Sequence, residues 1–343
     1  MKLFTALLLL YSLDSSYAQD ATKNLADNIA GNSNLQTLNS LINNPQYAAI
    51  KTLLTGNGPY TLFAPTDGAL NDAKLDTSNT AYITNVLRYH VVPQRLTSGN
   101  VPDNGWAFPS TLLNDPQYVT LPNNGTQVLA ISRSGDNVQV GYGTKNATVS
   151  QADQGASNGV IHVINQVLIP PVSPSETAKN AGLSSAEDAT NKINITQSID
   201  NLRGATFFAP NNDAFKAATN LGGLSNEQLT RLIKYHLVTP AVLYSGNLTN
   251  GTSFTSGEGA RLNIHAQNGN LYVNNARIVT PNVLTKNGVV HVIDTVLNPN
   301  ETNLLPGNKG STGSGDGHNG ASNPTKVTFA ALVLTLVAGI QLF

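Results

Sequence analysis

Four histidines are the residues best suited to chemistry in this 343-residue chain, because they come in two matched pairs. His90 and His162 recur as His236 and His291, each set in the same short motif. An imidazole pair of this kind can bind a metal ion or move a proton. A zinc site needs three or four ligands. No fixed carboxylate or thiol recurs beside the histidines in both copies, and the chain has no Cys. The other reading is structural, with each ring buried among apolar neighbours and bonded through its nitrogens to backbone or a hydroxyl. His265 and His318 have no counterpart. Glycoside hydrolysis would need two facing carboxylates, yet acidic residues mostly fail to recur: Asp67 aligns with Asn212, and Asn165 with Asp294. Neither a Gly-x-Ser-x-Gly turn nor a His-Glu-x-x-His helix is present. The pattern points away from an enzyme and implies no cofactor and no metal.

The histidines sit in a unit written twice. Tyr60-Thr61-Leu62-Phe63-Ala64-Pro65-Thr66-Asp67 returns as Ala205-Thr206-Phe207-Phe208-Ala209-Pro210-Asn211-Asn212. Leu87-Arg88-Tyr89-His90-Val91-Val92 returns as Ile233-Lys234-Tyr235-His236-Leu237-Val238, and Asn158-Gly159-Val160-Ile161-His162-Val163-Ile164 as Asn287-Gly288-Val289-Val290-His291-Val292-Ile293. The offsets are 145, 146 and 129, so the first copy holds 17 extra residues between its second and third motifs. The stretch around Gly105-Trp106-Ala107-Phe108-Pro109, with the only Trp, is the expected insertion.

Each motif specifies an element. Thr61 to Ala64 is β-branched and aromatic, a strand that Pro65 ends. Thr66 then suits a helix N-cap with Asp67 in the first turn, and Asn211 takes the cap role in the second copy. Ile83, Val86, Leu87 and His90 fall at i, i+3, i+4 and i+7, as do Leu229, Leu232, Ile233 and His236, so each Tyr-His pair ends an amphipathic helix with the His on its apolar face. Ser225 and Gln228 form a capping box. The third motif is apolar on both faces, the mark of a central strand entered through an Asn-Gly turn.

These three boxes, in this order, resemble the fasciclin domain, and the resemblance covers residues 20 to 299. It implies an α+β fold, with two tandem domains that are each a twisted β-sandwich wedge carrying several helices. It also implies cell adhesion or matrix attachment without enzymatic chemistry. In animal relatives the Tyr-His region is implicated in receptor binding. Carried over residue by residue, this marks Tyr89, His90, Val91, Val92, Tyr235, His236, Leu237 and Val238 as adhesion candidates. No Arg-Gly-Asp occurs.

The remaining segments read as addresses and surface. Residues 1–18 have a signal peptide's form: Lys2, the apolar run Leu3 to Leu13, and the small-x-small site Ser16-Tyr17-Ala18. Domain 1 spans 19–170 and domain 2 spans 175–299, divided by the stiff Pro-rich residues 171–174. Residues 300–326 form a Gly/Ser/Asn-rich stalk, followed by the uncharged apolar stretch 327–343. Small residues, a polar spacer and an apolar tail are the pattern of a glycosylphosphatidylinositol (GPI) signal, with Gly315 the first choice of attachment residue and Ser314, Gly317 and Asn319 competing. Sequons stand at Asn124, Asn146, Asn194, Asn247, Asn250 and Asn300. Charged residues make up only 11% of the chain and the net charge is −1, which disfavours nucleic acid as a partner. About one residue in eight is Asn, which supplies much of the polar surface. The expected function is a GPI-anchored, glycosylated adhesion or wall-attachment protein. Its partners would be other cell-surface, wall or matrix components, protein or polysaccharide, and its tether the membrane. The alternative is an extracellular carrier holding a small ligand or lipid in an apolar pocket of the domain.

Overall fold

The computed structural model describes residues 21–218, 221–300 and 306. The first copy opens with three helices, α1 (Leu25–Ala30), α2 (Gln36–Asn43) and α3 (Ala48–Thr55). Strand β1 (Tyr60–Pro65) follows, then α4 (Asp67–Ala73), α5 (Thr80–Tyr89) and the two-residue β2 (Val91–Val92). A run of antiparallel strands completes it: β3 (Gly105–Ala107), β4 (Ala130–Ser134), β5 (Asn137–Tyr142), β6 (Lys145–Ala156) and β7 (Gly159–Ile164). The second copy repeats this with α6 (Pro174–Asn180), α7 (Ser184–Lys192), α8 (Thr196–Asp200), β8 (Ala205–Pro210), α9 (Asn212–Ala217), α10 (Asn226–Tyr235) and β9 (Leu237–Val238). It ends with β10 (Ser253–Thr255), β11 (Arg261–Gln267), β12 (Asn270–Val273), β13 (Ala276–Thr285) and β14 (Gly288–Ile293).

Each copy carries one seven-stranded sheet. The first runs β2-β1-β7-β6-β5-β4-β3, and the second repeats that order with its own strands. β1 and β7 pair in parallel, as do β8 and β14, and the other ladders are antiparallel. β6 is long enough to serve two neighbours: Lys145 to Thr148 pair with β5 and Val149 to Ala156 with β7. Phe63 and Ile164 from one half of the sheet meet Ile131, Val138 and Val140 from the other in one core, which makes the sheet a sandwich folded about β6. The opposite face of β1 and β7 packs on α1, α2, α3 and α5 through Leu25, Ile29, Leu38, Ile42, Leu54 and Ile83. Every residue of β7 and β14 is buried, as a strand covered on both faces must be.

Local signals account for the boundaries. Thr66 Oγ1 accepts from Ala69 N at 3.2 Å and Asn211 Oδ1 from Ala214 N at 2.8 Å, capping α4 and α9. The Ser225–Gln228 capping box opens α10. The divider of the copies is partly helical, since Ser173 caps α6 and Pro174 is its first residue.

The expected insertion is displaced. Gly105–Ala107 is an ordinary strand, paired to β4 as β10 is to β11. The extra residues lie after it, where residues 108–129 separate β3 from β4 and only 256–260 separate β10 from β11. This segment meets the second domain. Gln127 Nε2 donates to Thr285 O at 3.0 Å, Thr120 N to Lys286 O at 2.9 Å, and Arg203 Nη1 to Asn124 Oδ1 at 3.3 Å. The Phe108 ring stacks on Tyr244 with centroids 4.4 Å apart, beside Val128, Ala130 and Leu284. Aromatic pairs of this kind contribute about 1 kcal/mol beyond their burial. The mutual placement of the domains is therefore held by the insertion as well as by the linker.

A Cβ on Gly288 would lie 1.8 Å from Ala205 O, and one on Gly159 would lie 2.1 Å from Tyr60 O, where the parallel strands approach most closely. Gly288→Ala should therefore destabilise the second domain by ~3 kcal/mol or more in urea unfolding; a shift under ~1 kcal/mol would contradict the close approach. In Phe108→Ala/Gln127→Ala, small-angle scattering should report a larger radius of gyration. Unchanged scattering would show that the linker alone sets the arrangement.

Candidate functional site

The histidines are built into the backbone. α5 and α10 each end in a Tyr, and the next residue is the C-cap His. His90 Nδ1 donates to Val86 O at 2.7 Å, and its Nε2 accepts from Leu168 N at 2.9 Å. His236 repeats both bonds, to Leu232 O at 2.8 Å and from Leu297 N at 2.9 Å. The strand histidines use the opposite tautomer. His162 Nε2 donates to Leu96 O at 2.8 Å while Nδ1 accepts from Asp153 N at 3.2 Å; His291 does the same with Leu243 O at 2.8 Å and Asn282 N at 3.5 Å. In each case a carbonyl takes the ring proton and a backbone N–H occupies the other nitrogen, which fixes a neutral imidazole. Phe63 stacks on His162 and Phe208 on His291.

One cluster holds the residue types of a nucleophilic triad in the wrong connectivity. Ser98 Oγ donates to the Asp153 carboxylate, and His162 meets only the backbone N of Asp153. No imidazole reaches the hydroxyl. The second copy has Ser245, Asn282 and His291 in the same contacts, with Asn282 Nδ2 donating to Ser245 Oγ at 2.8 Å. An amide that replaces the carboxylate without disturbing the geometry marks the cluster as a brace. Asp153 and Asn282 both have positive φ, 57° and 63°, and each lies where its strand's ladder register shifts.

Other recurring polar residues do the same kind of work. Thr61 Oγ1 donates to Gln94 O and accepts from Leu96 N, both at 2.7 Å; Thr206 holds Ala241 O and Leu243 N. Asp67 Oδ1 accepts from Thr37 N at 2.7 Å at the start of α2, and Asn212 Oδ1 from Ser185 N at 3.1 Å at the start of α7. Asn158 Nδ2 reaches Leu54 O and Gly56 O, as Asn287 Nδ2 reaches Ile199 O and Leu202 O. The sequence showed these residues recurring, but their partners lie up to 104 positions away.

The Tyr-His segments form no exposed patch. Tyr89, His90, Val91, Val92, Tyr235, Leu237 and Val238 are buried, and His236 is half-buried. Tyr89 Oη donates to Val128 O at 3.0 Å; Tyr235 Oη donates to Arg261 O at 3.2 Å and accepts from Asn274 Nδ2 at 2.9 Å. Apolar periodicity places the histidines inward, and the adjoining tyrosines and strand residues go inward with them. By contrast Asn124, Asn146, Asn194, Asn247, Asn250 and Asn300 are all exposed. The attachment candidates Ser314, Gly315, Gly317 and Asn319 and the leader 1–18 lie outside the described residues. Among the described residues no group of His, Asp and Glu is arranged to hold a metal, and no helix is long and apolar enough to cross a membrane.

Burial pushes His90, His236 and His291 down to about 4 from the ordinary 6.5, and lowers His162 as well. Unfolded, these rings take up protons below about pH 6.5 that the folded chain refuses. Stability is therefore complete above that pH and falls as pH drops toward 4, by roughly 1 kcal/mol per pH unit for each of His90, His236 and His291. Urea unfolding at pH 7.0, 6.0 and 5.0 should show this slope, and His162→Gln should reduce it. An unchanged slope in that variant would remove His162 from the account.

The comparisons agree with this double construction. The family model described as Fasciclin domain matches residues 33–170 and again 181–299. A fasciclin-like arabinogalactan protein of Arthroderma benhamiae is 29% identical over 293 residues, covering 83% of this chain and 68% of its own. One from Phaeosphaeria nodorum is 28% identical over 308 residues, covering 87% and 93%. Human periostin is 26% identical over 259 residues, covering 72% of this chain and 29% of its own. The chain belongs to the fasciclin-domain family, as a tandem, fungal-type member of this non-enzymatic, cell-surface adhesion class.

Proposed function

We propose that this protein is a glycosylated adhesion molecule, tethered to the outer membrane face or cell wall by a GPI anchor, that attaches its cell to surface, wall or matrix components. The observation that carries this reading is a division of labour among polar residues. Most of those that recur between the copies are spent on backbone groups, while all six sequon asparagines face solvent. Glycosylation replaces an Nδ2 hydrogen and leaves Oδ1 free to accept. Asn247 Oδ1, which accepts from Tyr244 N, and Asn250 Oδ1, which accepts from Ala266 N, can therefore carry glycans with these bonds intact.

A net charge of −1 favours short-range hydrogen bonds and apolar contacts over long-range attraction. Many tethered copies on one surface turn weak contacts into firm attachment. The leader at 1–18, the stalk and the apolar residues 327–343 support secretion and anchoring through one of Ser314, Gly315, Gly317 or Asn319. The Tyr-His segments contribute by shaping the domain, since all of their candidate side chains are buried except the half-buried His236. The partner is protein or polysaccharide rather than nucleic acid.

Beads carrying glycosylated residues 19–315 through their C-terminus should clump, or be retained on cells and purified wall polysaccharide of the same species. A phospholipase specific for phosphatidylinositol should release the native protein from cells or from their membrane precursor pool. Beads that neither clump nor adhere in any format would defeat the adhesion reading, and a protein untouched by the phospholipase in both fractions would defeat the anchor.

A further inference from the structure

The two copies share a template but fill it differently. The contacts Asp67–Thr37 and Asn212–Ser185 fix the register of α2 against α7. In that register Leu38, Leu41 and Ile42 correspond to Ala186, Ala189 and Thr190. The substitutions remove about seven side-chain heavy atoms from one face of the sheet, a volume that surrounding atoms recover only in part. Their neighbours register the loss. Leu62, Val86 and Leu87 are buried in the first copy, whereas their counterparts Phe207, Leu232 and Ile233 are left half-exposed. Between α7, α8, α10 and β8 the second domain holds a half-open cavity of about 110 Å3.

The lining determines what fits. Phe207, Phe208 and Phe215 contribute aromatic rings, and Ala178, Ala186 and Ala189 contribute methyls. The hydroxyls at the wall are already engaged: Ser175 with Asp200, Thr190 with Glu187 O, and Thr196 with Asn191. Both nitrogens of His236 are taken. A water molecule needs two to four polar partners, so this space does not hold water well; an apolar cavity of about 150 Å3 binds benzene. No Lys or Arg lines the cavity, and Glu187 is its one carboxylate, so an anionic group would find a like charge and no counter-ion.

We propose that this cavity is a binding site for an uncharged apolar group about the size of one six-membered ring, and that the first domain, filled by its own leucines, has lost or never had it. The site is independent of the adhesion reading and stands or falls without it.

The test uses the secreted two-domain protein labelled with 13C at alanine methyls, titrated with toluene and, separately, benzoate. Toluene should shift the methyls of Ala178, Ala186, Ala189 and Ala209 saturably and leave Ala26, Ala64 and Ala69 of the first domain in place. Benzoate should bind at least tenfold more weakly. Ala189→Leu restores the side chain of the first copy; it should abolish the toluene shifts and raise the urea midpoint of the second domain. Absent or non-saturable shifts, equal shifts in both domains, benzoate binding as tight as toluene, or toluene binding that survives Ala189→Leu would each overturn the proposal. Should that variant fail to fold, the wild-type methyl map still decides.

Discussion

The fold depends on neutral imidazoles buried where the backbone runs out of partners. A sandwich whose outermost strands are only two or three residues long, with long connections, leaves many N–H and C=O groups outside any ladder, and each one that is buried needs a partner. His90 closes the end of α5 and receives the chain at Leu168; His162 holds the connection after β2 at Leu96 and the bulge at Asp153. Both rings bridge segments 66 to 78 residues apart. A neutral imidazole suits this work because it offers one donor and one acceptor on opposite sides of a flat apolar ring that stacks against Phe. A lysine or carboxylate could supply only one sense of hydrogen bond and would bring a charge into the core.

Around this shared brace the copies diverge in opposite directions. The first adds residues, and the added segment 108–129 docks on β13 and on the turn before β8. The second loses bulk: α7 offers alanine and threonine where α2 offers leucine and isoleucine. The core under its helices shrinks to Leu183, Val283, Val290 and Val292, with four alanines, Phe207 and Val279 packed around them. Because the brace is set by side-chain-to-backbone bonds, neither change disturbs the strand order. The sheet of the second domain repeats that of the first strand for strand.

What could be read from the sequence follows the range of the physics involved. The helix caps at Thr66, Asn211 and Ser225, the inward histidines and the doubly buried third motif all rest on local spacing, and all appear in the structure. The position of the insertion did not follow from motif spacing, because Gly105-Trp106-Ala107 and Ser253-Phe254-Thr255 share only a central aromatic between small residues although both form the same strand. Strand identity there lies in pairing, which a sequence records only weakly. The partners of Thr61, Asp67 and Asn158 were equally hidden, since a backbone carbonyl carries no mark of which side chain will reach it. One local sign was available: Asp153 and Asn282 each stand nine residues before a histidine. The cavity is legible only as a shortage, once the register of α2 on α7 is known.

Recurrence in a duplicated protein is commonly taken as a sign of shared binding chemistry. Here it marks shared scaffolding. Tyr89-His90 and Tyr235-His236 recur because two helix ends, two loops and two strand entries need the same partners, and the side chains that meet those needs are buried or, at His236, half-buried. Pressure to keep them would persist however the surface changed. Functional difference between the domains should then lie where the copies disagree: in the exposed sequon asparagines, in the insertion that fixes one domain against the other, and in the face of the second sheet that its helices leave incompletely filled.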